Sequence, residues 1–269
     1  MRFILTEEDC AAYAARRILA RAAAVSPSQD RPFVLGLPTG STVLGTYAAL
    51  RAAYAAGKIS FRHMVSFNMD EYIGLPEDHP QSYHTYMRQN LFDHVDMPRE
   101  NIHILDGNAP DPQAQCAAYE AAIRQAGGID LFLGGVGRNG HLAFNEPGTD
   151  FNSRTRRVVL APATLQANAR FFGGDPSRVP AEALTIGIGT LTDAREILIL
   201  ATGPSKAHVI GRLLEEPPNT ANPVSVLRRH PNALVVADTA AGAEIGQAAR
   251  EKLRPTAANE GLTGWAADF

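Results

Sequence analysis

Short apolar runs of strand length alternate along this chain with longer stretches of helical period. Phe33-Val34-Leu35-Gly36-Leu37 is apolar throughout and is predicted as a strand. Met64 to Asn68, Asn101 to Leu105, Ile129 to Gly134, Leu184 to Ile188, Ile197 to Ala201 and Ala233 to Ala237 repeat the pattern. Between them, Glu7 to Val25, Thr42 to Ala56, Ala114 to Ala126, Ser205 to Leu214 and Ala240 to Leu253 are predicted helices. Continuously apolar strands must be covered on both faces, and a β-then-α rhythm supplies the helices that cover them. The prediction is one α/β domain spanning residues 1–269. Its core is a doubly wound, mainly parallel, Rossmann-like sheet with helices on both faces and right-handed crossovers. Thr6 is the expected N-cap of the first helix, with Glu7 and Glu8 in the first turn. Residues 145–180 are the least regular stretch and are expected to form a lid, and residues 254–269 a C-terminal tail.

Composition narrows the function classes. With 269 residues, 45% of them hydrophobic, the chain can bury a substantial core. The net charge is -3 and no run of Lys or Arg makes a nucleic-acid footprint, so an anionic substrate must be held by a few placed cations. Cys10 and Cys116 lie in separate Ala-rich helical stretches, without C-x-x-C or zinc spacing, and read as reduced packing thiols. Neither a metal nor a redox cofactor is expected. The start, MRFILTEEDC, lacks the pattern of a secretory signal, and no apolar run reaches the roughly 18 residues of a spanning helix. The expected setting is the cytoplasm, away from membranes. Oligomeric state is open, a homo-oligomer included.

Three predicted strand ends carry chemistry. In open α/β sheets ligands sit beyond the carboxyl ends of the strands, against helix N-termini. Pro38-Thr39-Gly40-Ser41-Thr42 occupies that position and offers hydroxyls beside free helix N–H groups. It lacks the Lys of a P-loop, so it suits a single phosphate rather than a nucleoside triphosphate. An ordinary capped turn explains the same residues equally well. Ser66-Phe67-Asn68-Met69-Asp70-Glu71-Tyr72 ends a second strand. Adjacent carboxylates point in different directions, so Asp70 or Glu71 could be a general base while the other bonds to backbone or a cation. Taken alone, this stretch also fits an acidic solvent-facing turn.

Gly135-Val136-Gly137-Arg138-Asn139-Gly140 satisfies the dinucleotide fingerprint G-x-G-x-x-G and follows a strand. No helix runs on from it, because Pro147 and Gly148 intervene, and no acidic residue ends a strand about 20 residues later. The loop instead delivers His141, with Asn139 two residues before and Glu146 five after. Histidine titrates near neutrality and suits proton transfer, and a nearby carboxylate fixes its tautomer. A histidine serving only a packed core fits poorly with so polar a loop.

The stretches PFVLGLPTGST, VSFNMDEYIGLPEDHPQSYH, GGVGRNGHLAFNEPG, SRTR, ARFF, ALTIGIGTLTDAREILILATGPSKA and HPNALVVAD together resemble the glucosamine-6-phosphate deaminases, from about Arg2 to Asp238. That family converts an amino-sugar phosphate and water to a ketose phosphate and ammonia without a cofactor. The resemblance implies that Asp70 is the enolisation base, His141 the ring-opening acid–base residue and Glu146 its supporting carboxylate. Asn139 stands where some members carry Asp and others Asn, and His141 is expected to be oriented by Glu146 more than by Asn139. Phosphate contacts would come from Gly40, Ser41, Thr42, Arg170 and Lys206. Allosteric members bind an effector with a Lys in the segment after SRTR. Here Arg156-Arg157-Val158-Val159 carries no Lys, Thr149 replaces a Ser, and only Arg156 keeps the pattern. Two alternatives accompany this reading. One is a 6-phosphogluconolactonase or another isomerase of the same fold, against which FNMDEY and FNEP speak. The other is a non-catalytic sugar-phosphate sensor, against which the full acid–base set speaks.

Overall fold

The computed structural model describes residues 1–257 and 261–269, so residues 258–260 of the predicted tail lie outside the described residues. The strands are β1 (Arg2–Thr6), β2 (Phe33–Leu37), β3 (Met64–Asn68), β4 (Asp70–Tyr72), β5 (Ile102–His103), β6 (Leu131–Gly135), β7 (Arg156–Val159), β8 (Glu182–Thr185), β9 (Ile197–Ala201), β10 (Ala233–Asp238), β11 (Arg254–Pro255) and β12 (Gly264–Asp268). The helices are α1 (Cys10–Val25), α2 (Leu44–Ala55), α3 (Tyr83–Asn90), α4 (Pro112–Gln125), α5 (Pro162–Asn168), α6 (Ile188–Thr192), α7 (Ala207–Glu215) and α8 (Gln247–Arg250).

Nine strands form the main sheet in the order β11-β12-β1-β10-β9-β6-β2-β3-β5. Its centre is parallel from β1 to β5, and β12 closes one side antiparallel to β1. Alternate strand residues serve opposite faces, as a period of two requires. Phe33, Leu35, Leu37, Leu198 and Leu200 pack with α1, α2 and α3. Val34, Phe132, Ile197, Ile199 and Val235 pack with α4, α6, α7 and α8. Each such side chain, fully buried, contributes about 1.5–3 kcal/mol by leaving water. From β2 the chain winds outward through β3 and β5, then returns to β6 and winds the other way. The direction of winding therefore reverses between β2 and β6, and the crevice at such a switch point is where ligands bind in doubly wound sheets.

A second sheet, absent from the sequence expectation, has three antiparallel strands in the order β4-β8-β7. It carries its own small core of Tyr72, Phe144, Leu160, Phe172, Val179 and Ala183. Met69 joins the two sheets. Its N–H donates to Leu37 O (3.2 Å) at the end of β2, and its carbonyl accepts from Ile186 N (2.8 Å) just after β8. Glu120 on α4 ties the small sheet down. It accepts from Thr155 N and Oγ1, from Thr190 Oγ1 and from Arg154 Nη2. Burial works to raise the Glu120 pKa, but these hydrogen bonds outweigh it and hold the carboxyl below its usual range.

Several local expectations are corrected. Thr6 ends β1, because the apolar run Arg2–Thr6 is claimed by pairing with β10 and β12. The α1 N-cap is Asp9, whose carboxylate accepts from Ala11 N (2.8 Å). The helix expected over 240–253 shortens to Gln247–Arg250, since Gly242 and Gly246 interrupt it. The strand expected over 184–188 runs from Glu182 to Thr185, and Ile188 already begins α6. The third expected strand pairs only over Ile102–His103.

Candidate active site

Four adjacent strands of the main sheet, β9-β6-β2-β3, end on one edge and deliver the sequence-selected residues there. Lys206 ends the 3-10 turn Pro204–Lys206 after β9, His141 follows β6, Gly40-Ser41-Thr42 follows β2, and Asp70 begins β4 two residues beyond β3. Gly40 holds a φ of +101°, a left-handed conformation that L side chains avoid, and turns the chain into the 3-10 turn Ser41–Val43 ahead of α2. Its carbonyl accepts from Tyr86 Oη (2.7 Å), which fixes the loop from the side of α3.

The His141 ring makes a defined chain of hydrogen bonds. Glu146 Oε1 accepts from Thr164 Oγ1 (2.6 Å) and Oε2 accepts from Asn139 Nδ2 (2.7 Å). A carboxylate only accepts, so the Asn139 amide nitrogen must face Glu146 and its oxygen must face the histidine. Asn139 Oδ1 lies 2.7 Å from His141 Nδ1, and Nδ1 therefore carries the proton. In the neutral ring Nε2 keeps its lone pair, the form needed to accept a proton. Glu146 Oε1 is 3.8 Å from Nδ1, too far to be the direct partner. This reverses the expectation that Glu146 orients His141 more than Asn139 does: the amide touches the ring and the carboxylate acts through the amide. Burial lowers the His141 pKa most; the Glu146 charge opposes that effect, and Lys206 adds to it.

Asp70 and Glu71 separate as the sequence allowed. Glu71 is buried and accepts from the backbone N–H of Tyr72 (2.7 Å), Tyr83 (2.8 Å) and His84 (3.2 Å), serving the N-terminus of α3. Burial raises its pKa and those bonds pull against the rise. Asp70 is also buried, and burial followed by the charge of Glu71 pushes its carboxyl well above the usual carboxylate range. Glu71 is committed to backbone donors, which leaves Asp70 as the carboxylate of the pair suited to exchanging a proton.

Lys206 stands among like charges. Burial lowers its pKa first, and the guanidinium groups of Arg138 and Arg170 lower it further. Arg170 lies in the 3-10 turn Ala169–Phe171 that follows α5, with its guanidinium over the Phe171 ring at 4.6 Å. Converging cations beside a helix N-terminus suit a phosphate dianion. A groove of about 770 Å³ on the opposite edge of the sheet is lined by Arg17, Arg21, Glu196 and His230. There Arg17 and Arg21 are already paired with the buried Glu196.

Sequence reasoning missed Arg138 and Thr164. Arg138 was within reach, since it neighbours Asn139 in the loop that carries His141. Thr164 had no local signal, being 18 residues from Glu146 in the stretch that looked irregular. Arg156, the residue retained from the effector pattern, is half-buried and donates to Asn145 Oδ1 (2.8 Å). Among the described residues no helix is long and apolar enough to cross a membrane, and no three His, Cys, Asp or Glu side chains stand together as metal ligands.

Residues 5–236 match the family described as glucosamine-6-phosphate isomerases/6-phosphogluconolactonase. A glucosamine-6-phosphate deaminase from Cronobacter sakazakii is 51% identical over 242 residues, covering 90% of this chain and 91% of that protein. One from Mannheimia succiniciproducens is 52% identical over 239 residues, covering 89% and 90%. A solved structure, described as a monomeric glucosamine-6-phosphate deaminase, has a TM-score of 0.86 at 39% identity, covering 91% of this chain and all of that one. Solved 6-phosphogluconolactonases are 16–23% identical and share the fold alone.

Proposed function

The chain belongs to the glucosamine-6-phosphate isomerase and 6-phosphogluconolactonase family, and on that footing we propose that it converts glucosamine 6-phosphate and water to fructose 6-phosphate and ammonia. The phosphate is held by the Gly40-Ser41-Thr42 turn with Lys206 and Arg170, and Arg138 adds a third cation. Remote binding energy of this kind places the sugar carbons against the catalytic groups.

His141 opens the pyranose by moving a proton from the C1 hydroxyl to the ring oxygen through Nε2. Asp70 then takes the proton from C2. The C2–H electrons form the C1=C2 bond and the aldehyde oxygen takes a proton from the substrate's ammonium group, giving an enolamine. Asp70 returns its proton to C1, and the nitrogen lone pair makes C2 an iminium carbon. Water adds there, ammonia leaves, and the C2 ketone remains. A carboxyl titrating well above its usual range both accepts and returns a proton readily, which this shuttle needs. A phosphorylated sugar is kept inside the cell by its charge, and the cytoplasm is the proposed setting of the reaction.

One observation favours this reading over a lactonase. Hydrolysing a lactone requires a base for water but no group that carries a proton between neighbouring carbons, and Asp70 is a buried carboxylate set apart from its pinned neighbour for such a task. The test is a coupled assay of ammonia release from glucosamine 6-phosphate beside an assay of 6-phosphogluconolactone hydrolysis. Lactone turnover without ammonia would replace this reading with the lactonase, and binding without either turnover would make the protein a sensor. Lys206→Ala is expected to raise KM about tenfold or more while kcat changes far less, as for an ion pair made in ground and transition states alike. A lost rate at unchanged KM would contradict its phosphate role.

A further inference from the structure

The chain of hydrogen bonds behind His141 does not end at Glu146. It continues into α5, where the buried Thr164 donates to Glu146 Oε1 at 2.6 Å. The same helical run leads from Thr164 through Asn168, whose Nδ2 donates to Tyr72 Oη (2.8 Å), to Arg170 beside Lys206. One short segment thus touches the phosphate cations at its far end and the histidine relay at its near end. We propose that Thr164 is a positioning residue: by holding Glu146 Oε1 away from the imidazole, it keeps Asn139 as the direct partner of His141 and so sets the ring's proton affinity.

The geometry gives the reason. Glu146 Oε1 lies 3.8 Å from His141 Nδ1, about 1 Å beyond a hydrogen bond, and is held there by the Thr164 hydroxyl. Without that donor the carboxylate gains by closing on Nδ1 and displacing the amide oxygen. A direct carboxylate contact favours the imidazolium. The other charge facing the ring is Lys206, from the turn after β9, itself beside Arg138 and Arg170; it remains in the variant and opposes the change without cancelling it.

The catalytic arm of the test rests on the deaminase reading; the spectroscopic arm does not. In Thr164→Val the acid limb of kcat/KM should move to higher pH by on the order of one unit, as the ring holds its proton longer. At a pH below the new limb kcat/KM should fall about tenfold, while KM stays within about twofold of the parent. Thr164→Ser keeps the hydroxyl and should restore both limb and rate. Independently, the Nδ1–H resonance of His141 in 15N-histidine-labelled protein, assigned by its loss in His141→Gln, should keep its position in Thr164→Ser and shift in Thr164→Val. An unchanged imidazole signal in Thr164→Val overturns the proposal. So does a fall in both melting temperature and kcat with the limb unmoved, which would mark Thr164 as merely structural. If the parent releases no ammonia, the functional reading fails and the imidazole signal still decides the role of Thr164.

Discussion

Asp70→Asn is expected to lower turnover about 100-fold or more and, at neutral pH, to make the protein harder to melt. The first effect follows from removing the group that carries the proton between C2 and C1; phosphate binding, which uses other strand ends, should be nearly intact. The second follows from burial. Burial and the neighbouring Glu71 hold the folded-state pKa of Asp70 well above the usual range. The unfolded chain therefore releases this proton at lower pH than the folded chain does. The stability contributed by the protonated carboxyl is complete below the unfolded pKa and drains away as pH climbs through the folded one. Asparagine is nearly isosteric and never ionises, so it escapes that loss. Each kcal/mol recovered raises Tm by about 2–4 °C in a chain of this size. Melting curves should separate at neutral pH and converge in acid. Superimposed melting curves at all pH values would refute the electrostatic argument, and unchanged turnover would remove Asp70 as the base.

Gly137→Ala is expected to lower kcat on the order of 100-fold while the chain still folds. A methyl group on Gly137 would fall directly on the imidazole ring of His141. The loop cannot simply back away, because Gly137 N donates to His141 O (2.9 Å) and its carbonyl accepts from Gly140 N (3.1 Å). The ring must turn instead, and turning it breaks the 2.7 Å contact with Asn139 that fixes the tautomer. The cations around Lys206 are untouched, so KM should change little. Steady-state kinetics with a circular dichroism spectrum check both halves of this expectation, and full activity in the alanine variant would show that the ring has another productive seat.

The main sheet was legible because its strands are apolar on both faces: Phe33–Leu37 and Ile197–Ala201 stand where the hydrophobic runs put them. Of the small sheet only β8 was touched, by the run read at Leu184 to Ile188; DEY and RRVV show no continuous apolar run and are held by pairing and by the aromatic cluster around Tyr72. Thr6 misled for a related reason. A hydroxyl followed by two acids signals a helix start, but the strand before it runs through the threonine. At the candidate site, His141, Asn139 and Glu146 lie within eight residues, so their meeting could be read from the loop. The order of their bonds could not, since it depends on Thr164 arriving from α5. Glu71 was likewise separable from Asp70 only once α3, 12 residues away, laid its N–H groups against it.

The passage from the large sheet into the small one is a single residue. Met69 is bonded at its nitrogen to one sheet and at its carbonyl to the other, and Asp70 is the next residue along. The proposed base therefore stands one residue past a backbone link anchored at both ends, so its place is dictated by both sheets at once.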